Sequence, residues 1–492
     1  MSVSEGETRG TTHTAGAAST LNGVAPSDAA STVLRALEET DLKAWFVGGW
    51  VRDALLGSES HDIDICCSGS WQSNAAALRA AGIEVLETGV SFGGITAVIA
   101  HDRVEVTSYR IDGDYVDGRH PVRIERAGSI EDDLARRDLT VNAMAWHPER
   151  GLIDLFDGRG DLARRVIRAV GIARERFEED ALRMLRAVRF ACSLDFKMDF
   201  ETDEAIRACA PLLKAISAQR VGSELDRILA SGRGGDALAH HPALMCVAIP
   251  ELARLRGFDQ RSRYHDFDVY DHTARVLTVA SELALASDTD GGALSALDPA
   301  LMWAALLHDI AKPETFTLDR DGQGHFFGHP ELGADLAGRI MGRLARPRDV
   351  VRDACLLIRY HDRPMRPDRS DLLGAMALMS RPGADTAHIM DELFDLKRAD
   401  TLGKAPSCFC YVDEIERMRE MVHELLAHRE AYSLATLSIN GGDLIRVGVE
   451  PGPPIGTLLR EALAATIAGK VDNDPMALLD YLDLDDRRRS SE

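Results

Sequence analysis

The sequence predicts a mixed α/β head followed by an all-helical body. Two observations predict it. Short apolar runs with period two, broken by glycine, fall before about residue 165. From about residue 180 onward, long helical patterns dominate and β-branched runs become rare. At 492 residues the chain exceeds one core, and about 150 residues per domain allows three or so.

Taken in order, residues 1–27 are rich in Ser, Thr, Gly and Ala and lack the apolar run of a signal peptide. They read as a disordered leader. Residues 31–39 read as a helix and 44–47 as a strand stopped by Gly48-Gly49. Residues 51–56 read as a helix closed by Gly57. Residues 62–66 alternate and read as a strand, and 73–81 read as a helix. Residues 95–100 and 103–109 read as strands joined at His101-Asp102. The head is placed at 28–165, a helical neck at 166–235, a helical domain at 236–435 and a helical tail at 436–492. Residues 231–235 read as a joint, 286–296 as an exposed loop and Arg487-Arg488-Arg489 as part of a solvated tail.

Apolar residues make up 45% and charged residues 28%, as in ordinary globular proteins. Aromatics at 5% argue against an aromatic single-strand platform. A net charge of −22 requires basic residues to be gathered locally before any nucleic acid can bind. Residues 164–189 hold eight arginines against four acids, a local +4 suited to a phosphate track. The eight cysteines form no CxxC pair, which excludes a zinc ribbon and fits reduced thiols in the cytoplasm. No run of 18 apolar residues occurs, so no membrane span is expected.

Chemistry is concentrated in Phe46-Val-Gly-Gly-Trp-Val-Arg-Asp-Ala-Leu-Leu-Gly57 and the Asp62-Ile-Asp64 that follows. The glycine pair allows a sharp turn and close approach of a ligand. The next helix offers free N–H groups to a phosphate, with Arg52 in its first turn. On a strand, Asp62 and Asp64 point to one face. Two hard oxygen ligands suit Mg²⁺. Paired metals about 3.5–4 Å apart can activate a 3′ hydroxyl and stabilise leaving pyrophosphate. Alone, each piece is only a turn or a strand edge; their joint spacing carries the reading.

This segment resembles the first motif of the polymerase-β-like nucleotidyltransferases. Within them it most resembles the class II CCA-adding enzymes and the related bacterial poly(A) polymerases. The resemblance implies that Gly49 and Arg52 contact the triphosphate and that Asp62 and Asp64 hold the metals. Asp133-Leu-Ala-Arg-Arg-Asp138-Leu-Thr-Val-Asn-Ala-Met-Ala145 resembles the family's second motif. It implies that Arg137 contacts the nucleotide, with Asp138 and Asn142 tying the segment to the sheet. Residues 110–121 resemble the family's mobile loop. Glu105 is the candidate for a third carboxylate.

Asp180, Arg183, Arg186 and Arg189 recur every three residues on a predicted helix, a stripe that drifts about half a turn over its length. Carboxylate acceptors and a guanidinium fork together match the edges of both C and A. The resemblance implies that Asp180 and Arg183 are a protein template for CTP and ATP, with Arg186 and Arg189 contacting nucleotide or phosphate.

Further on stand His272, His308-Asp309, His329, His361 and Asp400. Imidazole and carboxylate together suit a divalent transition metal or Mg²⁺. The set resembles an HD domain, which implies a metal-dependent phosphohydrolase fold. His272, His308, Asp309 and Asp400 would be the core ligands, and His329 and His361 those of two-metal members. The segment from Leu437 to Leu459 resembles the family's C-terminal section.

The predicted architecture is thus a polymerase-β-like α/β head on a helical body. The expected reaction transfers CMP and AMP from CTP and ATP to a tRNA 3′ end. The alternatives are a poly(A) polymerase or A-only enzyme, and an HD-type phosphohydrolase acting on nucleotides or RNA ends.

Overall fold

The computed structural model describes residues 20–60, 62–90, 93–112, 124–286 and 297–484. Most of the leader, most of the 110–121 loop, the 286–296 loop except its first residue and the Arg487–Arg489 run lie outside the described residues. The chain divides into two compact units, 1–224 and 225–492.

The first unit opens with α1 (Asp28–Glu38), capped by Ser27, whose hydroxyl accepts from the Ala30 N–H at 3.1 Å. Strand β1 (Ala44–Val47) is buried along its whole length and leads into α2 (Gly49–Leu55). Strand β2 (Asp64–Cys67) follows, then α3 (Trp71–Ala80), β3 (Glu84–Leu86), β4 (Gly94–Ile99) and β5 (Asp102–Ser108). A hairpin of β6 (Arg110–Asp112) and β7 (Ile124–Arg126) brackets the family's loop position. Then come α4 (Ile130–Ala135), β8 (Met144–His147), β9 (Gly151–Asp154) and α5 (Gly158–Arg164).

Seven strands form one sheet in the order β3-β4-β5-β2-β1-β8-β9. Only β2 and β5 run parallel within it, with Asp64 opposite Glu105. Alternation sorts the central side chains by face. Trp45, Val47, Cys66 and Ala145 pack with Tyr109, Ile130 and Leu134. Phe46 turns the other way and packs on Trp50 and Trp146, at ring distances of 5.2 and 5.8 Å.

The unit ends with helices. These include α6 (Ala173–Glu179), α7 (Leu182–Leu194), α8 (Phe200–Cys209) and the first part of α9 (Ala218–Ala230). The expected continuous helix through Asp180 is broken there. Asp180 has φ −141° and ψ 105°, and α7 begins two residues later.

The second unit is helical, with one two-stranded hairpin at Thr317–Leu318 and Gly324–His325. Its helices include α10 (Gly234–His240), α11 (Pro242–Ala248), α12 (Val269–Ala286), α13 (Pro299–Leu307) and α14 (Lys312–Thr315). There follow α15 (His329–Arg343), α16 (Arg348–Tyr360), α17 (Arg369–Met379), α18 (Thr386–Gly403) and α19 (Val412–Ala427). Helix α13 is buried from Ala300 to Leu307 and packs against α12, α16 and α18, as expected of a helix apolar all round. Three C-terminal helices enclose their own apolar cluster around Leu444 and Leu478.

The 231–235 segment differs from the expected joint. A Cβ on Gly235 would lie 2.0 Å from Thr278 Oγ1 and 2.5 Å from the Ala274 carbonyl. Glycine here serves close packing of α10 on α12. Among the described residues, no helix is long and apolar enough to cross a membrane.

Candidate active site and candidate metal centre

The head site is built where β1 ends and β2 begins. Gly48 has φ +72°, a conformation that glycine alone adopts without strain. A Cβ at this position would lie 3.1 Å from Arg137 Nη1 and 3.7 Å from Asp64 Oδ2. One backbone turn thus abuts both a guanidinium and a carboxylate. Sequence reasoning stressed Gly49, but Gly48 is the residue with no room for a side chain.

Asp64 is the first residue of β2, and Asp62 is exposed just upstream rather than within the strand. Ile63 between them is buried, whereas Asp62 is exposed and Asp64 partly so. Burial, then Asp62 and Glu105, push the Asp64 carboxyl up to about 6, against the pull of Arg137. Glu105, the candidate third carboxylate, is brought beside Asp64 by the β2–β5 register. Three acids facing one guanidinium are short of positive charge. Their oxygen-only donor set fits a hard divalent cation.

Arg137 is anchored by Asp133, whose Oδ2 accepts from Nη2 at 3.2 Å. Asp133 is fully buried and Arg136 and Arg137 hold its carboxyl below the usual range despite that burial. Arg52 is buried. It donates from Nη1 to Asn142 Oδ1 at 2.8 Å and from Nε to Asp53 Oδ1 at 2.8 Å. Asn142 therefore ties the second motif to α2, not to the sheet. Asp138 ties it to α7 instead: its Oδ2 accepts from Arg186 Nε at 2.6 Å. Burial raises the Asp138 carboxyl, but Arg186, Arg183 and the Leu139 N–H together bring it down to about 2.

The four residues read as a stripe have separate partners. Asp180 sits at the break, accepting from the Leu182 N–H at 3.0 Å and from Arg220 Nη2 at 2.9 Å. Buried Arg183 pairs with Glu179 and donates to the Arg136 carbonyl at 3.1 Å. Arg189 lies 3.1 Å from Glu224. Phe190, which sequence reasoning passed over, lies under three guanidinium groups: Arg52 at 5.0 Å, Arg186 at 5.8 Å and Arg189 at 4.1 Å. It brings α2 and α7 to one place.

The arginine run at 164–189 is not a bare +4 track. Each of its arginines contacts a carboxylate, several from outside the run: Asp157, Asp161, Asp195, Asp138 and Glu224.

In the body, the predicted ligands converge. Asp309 Oδ2 lies 3.4 Å from His272 Nε2 and 3.2 Å from His308 Nε2. Its Oδ1 lies 3.4 Å from His329 Nε2 and 3.8 Å from His361 Nε2. Asp400 Oδ1 adds a donor 3.2 Å from His272. Each histidine sets its Nδ1 on a backbone carbonyl: Gly403 at 3.2 Å, Ala305 at 2.9 Å, Phe326 at 2.8 Å and Ile358 at 2.7 Å. A carbonyl only accepts, so Nδ1 carries the proton and Nε2 presents a lone pair inward. The Nε2 atoms then face one another at 3.4 Å across His272–His308 and 3.3 Å across His329–His361. Facing lone pairs repel unless a cation lies between them. The donors form two triads sharing Asp309, and they fit a pair of divalent ions.

Two lysines missed by sequence reasoning stand beside the acids: Lys312 Nζ at 2.7 Å from Asp309 and Lys404 Nζ at 2.6 Å from Asp400. Their offsets of three and four residues on helical sequence were the available signal. The centre opens on a cavity of about 880 Å³ whose walls carry both bases, such as Arg263, Arg359 and Arg363, and acids, such as Asp319, Glu331 and Asp362.

Family models match the head and the body separately. A poly A polymerase head domain matches residues 44–168 and an HD domain matches 269–404. The chain is 30% identical over 458 residues to a CCA-adding enzyme of Lactobacillus delbrueckii subsp. bulgaricus, covering 92% of this chain and 96% of that one. It is 30% identical over 455 residues to a CCA-adding enzyme of Streptococcus gordonii, covering 92% and 95%. The crystal structure of the Bacillus stearothermophilus CCA-adding enzyme in complex with CTP superposes with a TM-score of 0.67 at 26% identity, covering 94% of this chain and 98% of that one. The Thermotoga maritima CCA-adding enzyme complexed with tRNA shares the fold, with a TM-score of 0.58 at 19% identity over 92% of this chain and 93% of that one.

Proposed function

The chain belongs to the family of CCA-adding enzymes, and on that premise we propose that it adds CMP and AMP from CTP and ATP to the 3′ end of tRNA. The observation that carries this reading is the meeting of Arg137, Asp64 and the Gly48 turn at one point. A side-chain-free backbone, a cation and a metal-binding acid are what a triphosphate needs. Asp62 and Asp64, with Glu105 beside them, would hold Mg²⁺, favoured by an all-oxygen donor set. When bound, the ions polarise the reacting phosphate and the attacking hydroxyl.

The chain's own residues do the rest. Asp133 holds the Arg137 guanidinium toward the Gly48 turn, where it meets triphosphate oxygens. Asn142 and Asp53 fix Arg52 in the middle of α2, and Gly49 leaves the approach open. Asp180 offers an acceptor to the exocyclic amine of C or A, and Arg183 a donor to the adjacent ring nitrogen. Arg186 and Arg189, on the same helix, would contact nucleotide or phosphate. With those substrates the proposed reaction would run in the cytoplasm. The test is a tRNA lacking its last three nucleotides, incubated with each labelled triphosphate alone and with CTP plus ATP. Incorporation of C from CTP alone, and of A only after C, is expected; A-only incorporation would select the A-adding or poly(A) reading.

A second activity is favoured by the four inward Nε2 atoms around Asp309. We read the body as a metal-dependent phosphohydrolase whose substrate is a 2′,3′-cyclic phosphate or 2′-phosphate at a damaged RNA end. Opening of the cyclic phosphate to a phosphomonoester, or release of inorganic phosphate from the 2′-phosphate, is the expected result, lost in His308→Ala and unaffected in Asp64→Asn.

A further inference from the structure

Helices α13 and α18 bring a separate set of donor atoms together, away from the cluster around Asp309. Asp298 caps α13, and its Oδ1 accepts from the Ala300 and Leu301 N–H groups at 2.6 and 3.2 Å. This fixes the side chain and leaves Oδ2 facing α18, 3.3 Å from His388 Nε2. His388 and Glu392 lie four residues apart on α18 and therefore on one face. Glu392 Oε1 is 3.4 Å from the same Nε2. One donor atom from each of the three residues lies within 4.8 Å of the other two.

Glu392 makes this more than a surface cluster. It is only 5% exposed, and its buried Oε1 has no hydrogen-bond partner. Burial first, then the like charge of Asp298 and a hydrogen bond with it, then Asp353 and Asp395, push its carboxyl up to about 10. The guanidinium groups nearby are engaged elsewhere, Arg381 on Asp353 and Arg419 on Asp395. A buried carboxyl among carboxylates either keeps a proton or holds a cation.

We propose that Asp298 Oδ2, His388 Nε2 and Glu392 Oε1 bind one divalent transition-metal ion of the zinc class, which clamps α13 to α18. One imidazole and two carboxylates suit such an ion. Donor atoms bound at about 2.1 Å in a tetrahedral array stand about 3.4 Å apart, the spacing of both His388 contacts. The His388 side chain is 55% exposed, so an ion can enter and water can complete its shell. The clamp joins the same two helices whose far ends lead to His308-Asp309 and Asp400. At about 1.5 Å per residue those ends lie roughly 12–18 Å away, so the ion is separate from the Asp309 cluster and fixes the alignment of its supports.

The test uses the full chain, stripped with chelator, reloaded with Zn²⁺, dialysed, and analysed for zinc per chain. His388→Ala and Glu392→Gln should each lose one zinc ion relative to wild type and lose part of the Zn²⁺-dependent rise in Tm. His308→Ala/Asp309→Ala should lose its own ions, and its combination with His388→Ala should lose the sum. His388 is half-exposed, so its variant tests the site even if Glu392→Gln fails to fold. Wild-type zinc content in either folded variant overturns the three-donor site.

Discussion

Asp64 lies between the like charges of Asp62 and Glu105 and faces a single guanidinium, an arrangement poised for a cation rather than for packing. Replacing it with Asn, or Asp62 with Ala, should reduce nucleotide incorporation roughly a thousandfold, the equivalent of several kcal/mol of transition-state stabilisation. Affinity for tRNA should stay near wild type, because RNA is held mainly through phosphate contacts. Single-turnover incorporation and a filter-binding isotherm measure the two effects separately, and wild-type turnover in either variant would remove the site from the acids. At Asp180 the expected effect is on selection. UTP and GTP present a carbonyl where CTP and ATP present an amine, so the carboxylate would face an acceptor. The mismatch costs roughly 1–3 kcal/mol, or about ten- to a hundredfold in discrimination. Asp180→Ala should therefore raise misincorporation of U and G by about that factor. An unchanged ratio of kcat/KM among the four triphosphates would place base choice elsewhere.

At the scale of elements, the Asp138–Arg186 pair joins the second head motif to α7. Asp138 is buried, whereas the Arg186 side chain is about one-third exposed, so losing the pair should cost about 2–3 kcal/mol, below the usual range for a fully buried pair. The folded carboxyl sits near 2, below its ordinary 3.8, so the pair's contribution is present above about pH 4 and is lost as pH falls toward 2. The stability gap between wild type and Asp138→Asn should accordingly be full at pH 7 and close between about pH 4 and 2, as read by denaturant titration. A gap independent of pH would mean that packing, not charge, is what the variant loses. This pair also marks a limit of sequence reading. Strands β1, β2, β4 and β5 were legible because side-chain alternation is local, whereas the short β3, β8 and β9 were not read; the HD candidates stood out because their residue types are distinctive. The break at Asp180 was hidden, since the pattern from Glu179 to Arg189 scans as one helix. Its signal was an Asp just before an apolar run, the composition of a helix start. The partners that neutralise the arginine run lie up to 48 residues away, as with Asp138 and Arg186, and no local pattern announces them.

For the whole molecule, the candidate ligand sets divide between the two units. Asp62, Asp64 and Glu105 belong to the first, and His272, His308, Asp309, His329, His361 and Asp400 to the second. Their chemistries differ as well: oxygen donors alone in the head, imidazoles around a shared carboxylate in the body. Two such centres should be separable by mutation and by metal. His308→Ala/Asp309→Ala should remove transition metal from the Asp309 cluster while CTP and ATP incorporation with Mg²⁺ stays within about twofold of wild type. Conversely, Asp64→Asn should leave the metal content of that cluster unchanged. Metal analysis of both variants, paired with incorporation on trimmed tRNA, decides the matter. If the body variant binds as much metal as wild type, the inward histidines are a hydrogen-bonded core rather than a metal centre. If it loses the ions of the Asp309 cluster and also stops adding nucleotides, the two centres are coupled. A folded far-ultraviolet spectrum and an unchanged Tm in Mg²⁺ would show that such coupling is not simple unfolding.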